Sequence, residues 1–186
     1  MGEKRFALNR ATILVVKGDI TKQDVDAVVN ASNPELGPGS GVNGAIRKAG
    51  GNAIARKCEE IRKHRGPLEG GEALHTTAGN MPADYVIHVA GPVYQDGNQG
   101  EEKHLRDCYA NALKLAADKL DAKSIAFPAL SCGVYGYPVD EGLTVALEEM
   151  KKFAESGAPD GFEMRLVLFG DGDFSQASDI GEKVLG

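Results

Sequence analysis

Residues 27–46 read AVVNASNPELGPGSGVNGAI. The stretch opens on the apolar run Ala27 to Val29, passes through a polar, glycine-bearing loop, and ends where an amphipathic segment begins. Six glycines fall between Gly37 and Gly51 inclusive. Each glycine gives up more backbone entropy on folding than any other residue, so this density needs a reason. The reason is either tight turns at positive φ or a backbone brought close to a ligand. Residues from 41 onward look like a helix start, whose unpaired N–H groups make a natural anion site. Strand, loop and helix in that order form one βα unit, and its loop is a candidate holder of a phosphate or diphosphate. A surface loop that merely turns is the plain alternative.

The same alternation extends in both directions. Strand patterns occupy residues 5–8, 11–17, 25–30, 72–77, 85–89, 124–129 and 164–169. Helical spacing occupies 42–63, 101–120, 139–153 and 174–185. The first helical pattern is interrupted at Gly50-Gly51, and Pro128 is awkward near the end of its strand. Strands alternating with helices predict an α/β sandwich with a mainly parallel or mixed sheet and helices on both faces. In such folds ligands lie beyond the C-terminal ends of the strands. No linker, repeat or low-complexity segment divides the chain, and its 186 residues suit one domain, 1–186.

Composition narrows the partners. Hydrophobic residues make up 42% and the net charge is -6, with no cluster of lysine and arginine. Nucleic acid is therefore disfavoured as a partner. A small anion remains compatible, because backbone amides bind phosphate without a basic patch. Cys58, Cys108 and Cys132 share no metal or disulfide spacing, and the histidines show no H-E-x-x-H pattern. Neither a metal nor a cofactor is expected. The start of the chain lacks the apolar run of a signal peptide, and no stretch approaches membrane-spanning length. The expected location is the cytoplasm.

Gly39-Ser40-Gly41-Val42-Asn43-Gly44 satisfies G-x-G-x-x-G, but it does not follow its strand directly, and residues about 20 further on are helical. A dinucleotide fold is not supported, and no Gly-Lys-Ser/Thr signals a P-loop. A second loop, Ser131-Cys132-Gly133-Val134-Tyr135-Gly136, also joins a strand to a helix. Two such loops at one sheet edge can grip a diphosphate through main-chain amides. Asp19, at the end of a strand, either accepts a hydrogen bond from an exocyclic amine or caps the next turn. Asn30 and Asn33 suit vicinal hydroxyls, or simply a turn. Tyr135 either covers a sugar or packs as a loop aromatic, and Phe169 either stacks on a base or packs in the core. Cys132 as a nucleophile would need a nearby base.

Taken together, these residues resemble the macrodomain family of ADP-ribose-binding modules. The resemblance rests on Gly18-Asp19-Ile20-Thr21, on Val25 to Asn33, on Gly41-Val42 with Ala45-Ile46, on Gly71-Glu72-Ala73, on Tyr85 to Pro92, and on Ser124 through Gly136. It implies a three-layer α/β/α sandwich with a mixed central sheet, and ADP-ribose, or an ADP-ribosylated small molecule or protein, as the ligand. By the same resemblance Asp19 and the backbone of Ile20 would hold adenine, with Phe169 nearby. Gly41 and Val42 would hold a phosphate, and Ser131, Cys132, Gly133, Val134 and Tyr135 would wrap the diphosphate and distal ribose. Asn30 would hydrogen-bond the distal ribose and act in catalysis, and Asn33 would shape the pocket. Asn43 is the second catalytic candidate by position, but it stands where hydrolytic members often carry aspartate, and an amide cannot serve as a carboxylate base. Ser32, Ser40 and Cys132 are further departures from the usual family pattern. The implied activity is hydrolysis of ADP-ribosyl esters. The alternatives are a non-catalytic ADP-ribose module and a phosphatase acting on ADP-ribose 1''-phosphate.

Overall fold

The computed structural model describes residues 2–186. Its strands are β1 (Glu3–Leu8), β2 (Ala11–Lys17), β3 (Ala27–Ala31), β4 (Ala73–Thr77), β5 (Tyr85–Val89), β6 (Ser124–Phe127) and β7 (Phe162–Leu168). Its helices are α1 (Gly41–Gly50), α2 (Asn52–Arg65), α3 (Glu101–Lys114), α4 (Val139–Ser156) and α5 (Asp171–Val184). All seven strands join one sheet in the order β1-β2-β7-β6-β3-β5-β4. The central pairs are parallel, and the two edge pairs, β1 with β2 and β4 with β5, are antiparallel. The sheet is thus mixed, as expected.

Period-two alternation separates two cores. Along β2, Ile13 and Val15 join the side covered by α3, α4 and α5, while Leu14 and Val16 join the side covered by α1 and α2. Ile46 of α1 and Ile54 of α2 are fully buried in the second core, each contributing about 1.5–3 kcal/mol of burial energy. Helices on both faces of a mixed sheet complete a three-layer sandwich.

Several boundaries differ from the sequence expectation. The pattern over 42–63 is two helices, with Gly51 at φ +80 between them donating to the Arg47 carbonyl. β6 stops at Phe127, before Pro128, which has no N–H to give a ladder. β3 begins at Ala27, and the closing helix begins at Asp171, ahead of the expected 174. The long third helix ends in a π turn over Leu115–Lys119. No helix among the described residues is long and apolar enough to cross a membrane.

β3 and β6 are neighbours, yet the chain leaves β3 towards α1 on one face and leaves β6 towards α4 on the other. Connections that diverge to opposite faces open a crevice at the C-terminal ends of the strands. The loops carrying both glycine clusters meet there.

Away from that crevice, Glu101 anchors the loop before α3. Its carboxylate accepts from the backbone N–H groups of Gln95 (3.0 Å), Asp96 (3.2 Å) and Gly97 (2.9 Å), and also from Gln99. Burial opposes its ionisation, but the backbone donors outweigh burial and hold the carboxyl at about 2. This lies below the roughly 4.3 of an unfolded glutamate. The ionised group therefore stabilises the fold fully above that unfolded value, and the contribution is lost as pH falls through about 2. Glu101→Gln is expected to melt several degrees below wild type at neutral pH, with the gap closing in melts run from about pH 4 downwards.

Candidate functional site

The crevice has two connected halves. One, about 320 Å³, is lined by the β3–α1 loop and the β6–α4 loop, including Asn33, Gly39 to Asn43, Ser131 and Gly133 to Tyr135. The other, about 440 Å³, runs from Asp19 and Ile20 past Cys132 to Phe169 and Asp173. Gly41, Val42, Ala129 and Gly133 line both halves and mark the waist between them.

At the waist, α1 begins with Ser40 as its cap residue, whose side chain makes no capping bond. The first N–H groups of a helix have no intrahelical partner, here none is capped by the Ser40 side chain, and the residues that carry them, Gly41, Val42 and Asn43, line the cavity. Gly41 adopts φ +58, the left-handed region that glycine reaches without strain. Across the waist, Ser131 adopts φ +62, and its hydroxyl is buried without a hydrogen-bond partner. The loop it begins is anchored from below: the buried Tyr109 hydroxyl accepts from Leu130 N at 3.0 Å. At the loop tip Val134 is 87% exposed, and the Tyr135 carbonyl accepts from Tyr94 N at 2.8 Å.

The structure places the three asparagines at different depths. Asn33 lines the cavity, but its amide clasps its own loop: Oδ1 accepts from Gly37 N (2.9 Å) and Nδ2 donates to the Gly37 and Pro38 carbonyls. Asn30, expected to reach a ribose, is 0% exposed and does not line either half. It stands beside His88 of β5, and strand alternation turns its side chain to the face covered by α1 and α2. There Nδ2 lies 3.2 Å from His88 Nδ1 and donates to Asn43 Oδ1 at 3.1 Å, leaving Asn30 Oδ1 unpartnered. Burial, followed by the charge of Arg47, pushes His88 down to about 3, so the ring is neutral, and because the Asn30 amide nitrogen can only donate, His88 Nδ1 is its acceptor. Asn43, 4% exposed at the cavity wall, is locked from three sides: Asn30 Nδ2 and Arg47 Nε (3.2 Å) donate to its Oδ1, and its Nδ2 donates to the Gly37 carbonyl at 3.0 Å. Asn30 is thus bonded directly to Asn43, which lines the cavity.

At the other end, Asp19 caps the next turn and stands on the cavity wall. Oδ1 accepts from Thr21 N (2.9 Å) and Thr21 Oγ1 (2.7 Å), capping the short 3₁₀ turn Ile20–Lys22, while the residue also lines the cavity. Phe169 is 84% exposed, so it is a cavity wall and not a core residue. Cys132 lines this half, but burial, and secondarily the negative charge of Asp173, push its thiol up to about 12. No histidine lines either half to deprotonate it. Alkylation of Cys132 by iodoacetamide at pH 8, followed by mass spectrometry, is expected to run at least about tenfold slower than alkylation of a free cysteine. Rapid labelling would show an activated thiol.

Sequence reasoning passed over Ala31, Ala45, Ala129 and Asp173 as wall residues. The alanines were readable only as small residues at strand and helix ends, and Asp173 carries no pattern. Among the described residues no group of three or more His, Cys, Asp or Glu could hold a metal ion. The lining of the 320 Å³ half contains no Asp, Glu, Lys, Arg or His.

The chain is similar to known proteins in sequence and in fold. The macro domain model matches residues 29–146. A macro domain-containing protein of Caldanaerobacter subterraneus is 44% identical over 172 residues, covering 92% of this chain and 97% of that protein. The O-acetyl-ADP-ribose deacetylase of Escherichia coli K12 is 44% identical over 144 residues, covering 77% of this chain and 81% of the enzyme. Among solved structures, the Oceanobacillus iheyensis macrodomain with ADP superposes with a TM-score of 0.93 at 34% identity, covering 98% of this chain and 96% of that one. The Trypanosoma brucei macrodomain in complex with ADP-ribose gives 0.81 at 32% identity, covering 90% and 68%. By sequence and by fold, the chain belongs to the macro domain family.

Proposed function

We propose that the crevice binds ADP-ribose and that the protein hydrolyses ADP-ribosyl esters, with O-acetyl-ADP-ribose or an ADP-ribosylated carboxylate side chain as substrate. The observation that carries this reading is the waist: a helix N-terminus at Gly41 and Val42 facing a loop at Gly133, with no charged side chain between them. That is a grip for a diphosphate through backbone amides. Relatives named as O-acetyl-ADP-ribose deacetylases, and related macrodomains solved with ADP or ADP-ribose, support it.

In this reading the diphosphate sits at the waist, adenine lies between Ile20 and Phe169 with its amine towards Asp19, and the distal ribose enters the half lined by Asn33, Asn43, Ser131, Val134 and Tyr135. The Ser131 hydroxyl is buried against Gly91, so Ser131 contributes to the crevice through its backbone. With no ionisable carboxylate in that half, the protein supplies no general base there. A water held against the substrate diphosphate attacks the acyl carbonyl. The ester C–O bond breaks, the carboxylic acid leaves, and the ribose oxygen takes up the proton the water has lost. Asn30 serves as a positioning residue that fixes Asn43. The protein works as one domain in the cytoplasm, where reducing conditions keep its three cysteines as thiols.

The direct test is release of acetate and ADP-ribose from O-acetyl-ADP-ribose, with Gly41→Glu as the control that closes the waist. Time-dependent release by wild type alone supports hydrolysis. Tight ADP-ribose binding without release would make the protein a binding module, the reading that Asn43 favours over a base-assisted enzyme.

A further inference from the structure

The crevice is electrostatically one-sided. Asp19 and Asp173 are its only charged wall residues, both stand in the 440 Å³ half, and no lysine or arginine accompanies them. Asp19 is fixed in place by the two bonds to Thr21. Asp173 lies in the first turn of α5, where the helix dipole favours a carboxylate. Its neighbour Asp171 is paired with Lys17, whereas Asp173 makes no ion pair among the described residues and faces the crevice beside Cys132 and Phe169. The closeness of its charge to the ligand space is also evident at the Cys132 thiol, which Asp173 helps to keep protonated.

An unpaired carboxylate on a cavity wall accepts hydrogen bonds from hydroxyls and repels phosphate. If ADP-ribose occupies the crevice as proposed above, the sugar between adenine and the diphosphate passes through the half that holds Asp173. We propose that Asp173 is a specificity-determining residue: it accepts a hydrogen bond from the adenine-side ribose and, together with Asp19, excludes ligands bearing a phosphate ester on that sugar. The protein then acts on the ADP-ribose of unphosphorylated dinucleotides and rejects the 2'-phosphorylated counterpart.

The test is calorimetric titration of the full chain with ADP-ribose and with ADP-ribose 2'-phosphate at low ionic strength. Wild type is expected to prefer ADP-ribose by about tenfold or more, and added salt to narrow the gap. Asp173→Asn is expected to lose about threefold in ADP-ribose affinity while gaining affinity for the 2'-phosphate, so that the preference falls to about threefold or less. Equal wild-type affinities, or a preference unchanged in Asp173→Asn, would overturn the assignment while leaving ADP-ribose as the ligand. Failure of ADP-ribose itself to bind would remove the ligand reading and this inference together.

Discussion

Gly41→Glu is expected to weaken ADP-ribose binding by about 100-fold or more, a loss of at least about 2.7 kcal/mol, while leaving the protein folded. Gly41 lines both halves of the crevice, so anything added there enters the ligand's path. A Cβ at this position would meet nothing within 4 Å, which leaves the longer side chain open space to occupy. Its carboxylate would sit at the start of α1, take the N–H groups a phosphate needs, and repel the phosphate itself. The φ of +58 adds a backbone cost of about 1–2 kcal/mol for a residue with a Cβ. Calorimetry and a thermal melt separate the two effects: binding is lost while the melting temperature falls only modestly. Gly41→Ala carries the backbone cost without the charge and retains most of the affinity. Wild-type affinity in the glutamate variant would remove the diphosphate from the waist.

Gly79→Ala is expected to be the more damaging change for stability, at about 3 kcal/mol or more. Gly79 has φ +59, and a Cβ there would stand 2.0 Å from the carbonyl oxygen of Gly50. That carbonyl ends α1 and already accepts from Asn80 N at 3.0 Å, so neither partner can rotate aside. The clash is backbone against Cβ at the point where the α1–α2 junction rests on the turn after β4. Relief requires moving α1, and with it the Ile46 packing and the helix start at the waist. A drop in melting temperature of about 6–12 °C is expected for a chain of this size. Gly100→Ala is the matched control, since it shares a positive φ of +75 but has nothing within 4 Å. If the two variants melted alike, positive φ alone would account for the loss and the close approach at Gly50 would carry no cost.

What the sequence made legible is what short-range pattern controls. The βα alternation around residues 27–46, the break at Gly50-Gly51 and the two glycine-bearing loops are all local signals, and the structure puts the loops on one sheet edge. The surroundings of Asn30 were not legible because they are set across strands. It occupies a strand end that could face a ligand, but the parallel register opposes it to His88, and the Asn43 carbonyl captures its amide. Asn33 and Asn30 look interchangeable in the string NASN, yet one walls the crevice and the other lies in the sheet. Phe169 is apolar and follows an apolar strand, which suits core packing equally well; only the end of β7 at Leu168 leaves it outside. Asp173 is one of several acidic residues near a helix start, and nothing in the string distinguishes it from Asp171, which pairs with Lys17.

Asn43, which the family resemblance sets where hydrolytic members often carry aspartate, has chemistry that becomes clear only in three dimensions. As a replacement for aspartate it reads as a lost base. In the fold its amide donates to the Gly37 carbonyl while its oxygen accepts from Asn30 and Arg47, so the residue ties the glycine loop to β3 and α1. Both the donor and the acceptor of the amide are used, a division that a carboxylate does not reproduce.

The most direct measurement is isothermal titration of the protein with ADP-ribose, ADP and AMP. Binding of ADP-ribose at micromolar affinity or tighter, about -8 kcal/mol or better, with ADP and AMP progressively weaker, is the predicted result, because each shorter ligand abandons one part of the crevice. Equal binding of all three ligands, or none at all, would contradict it.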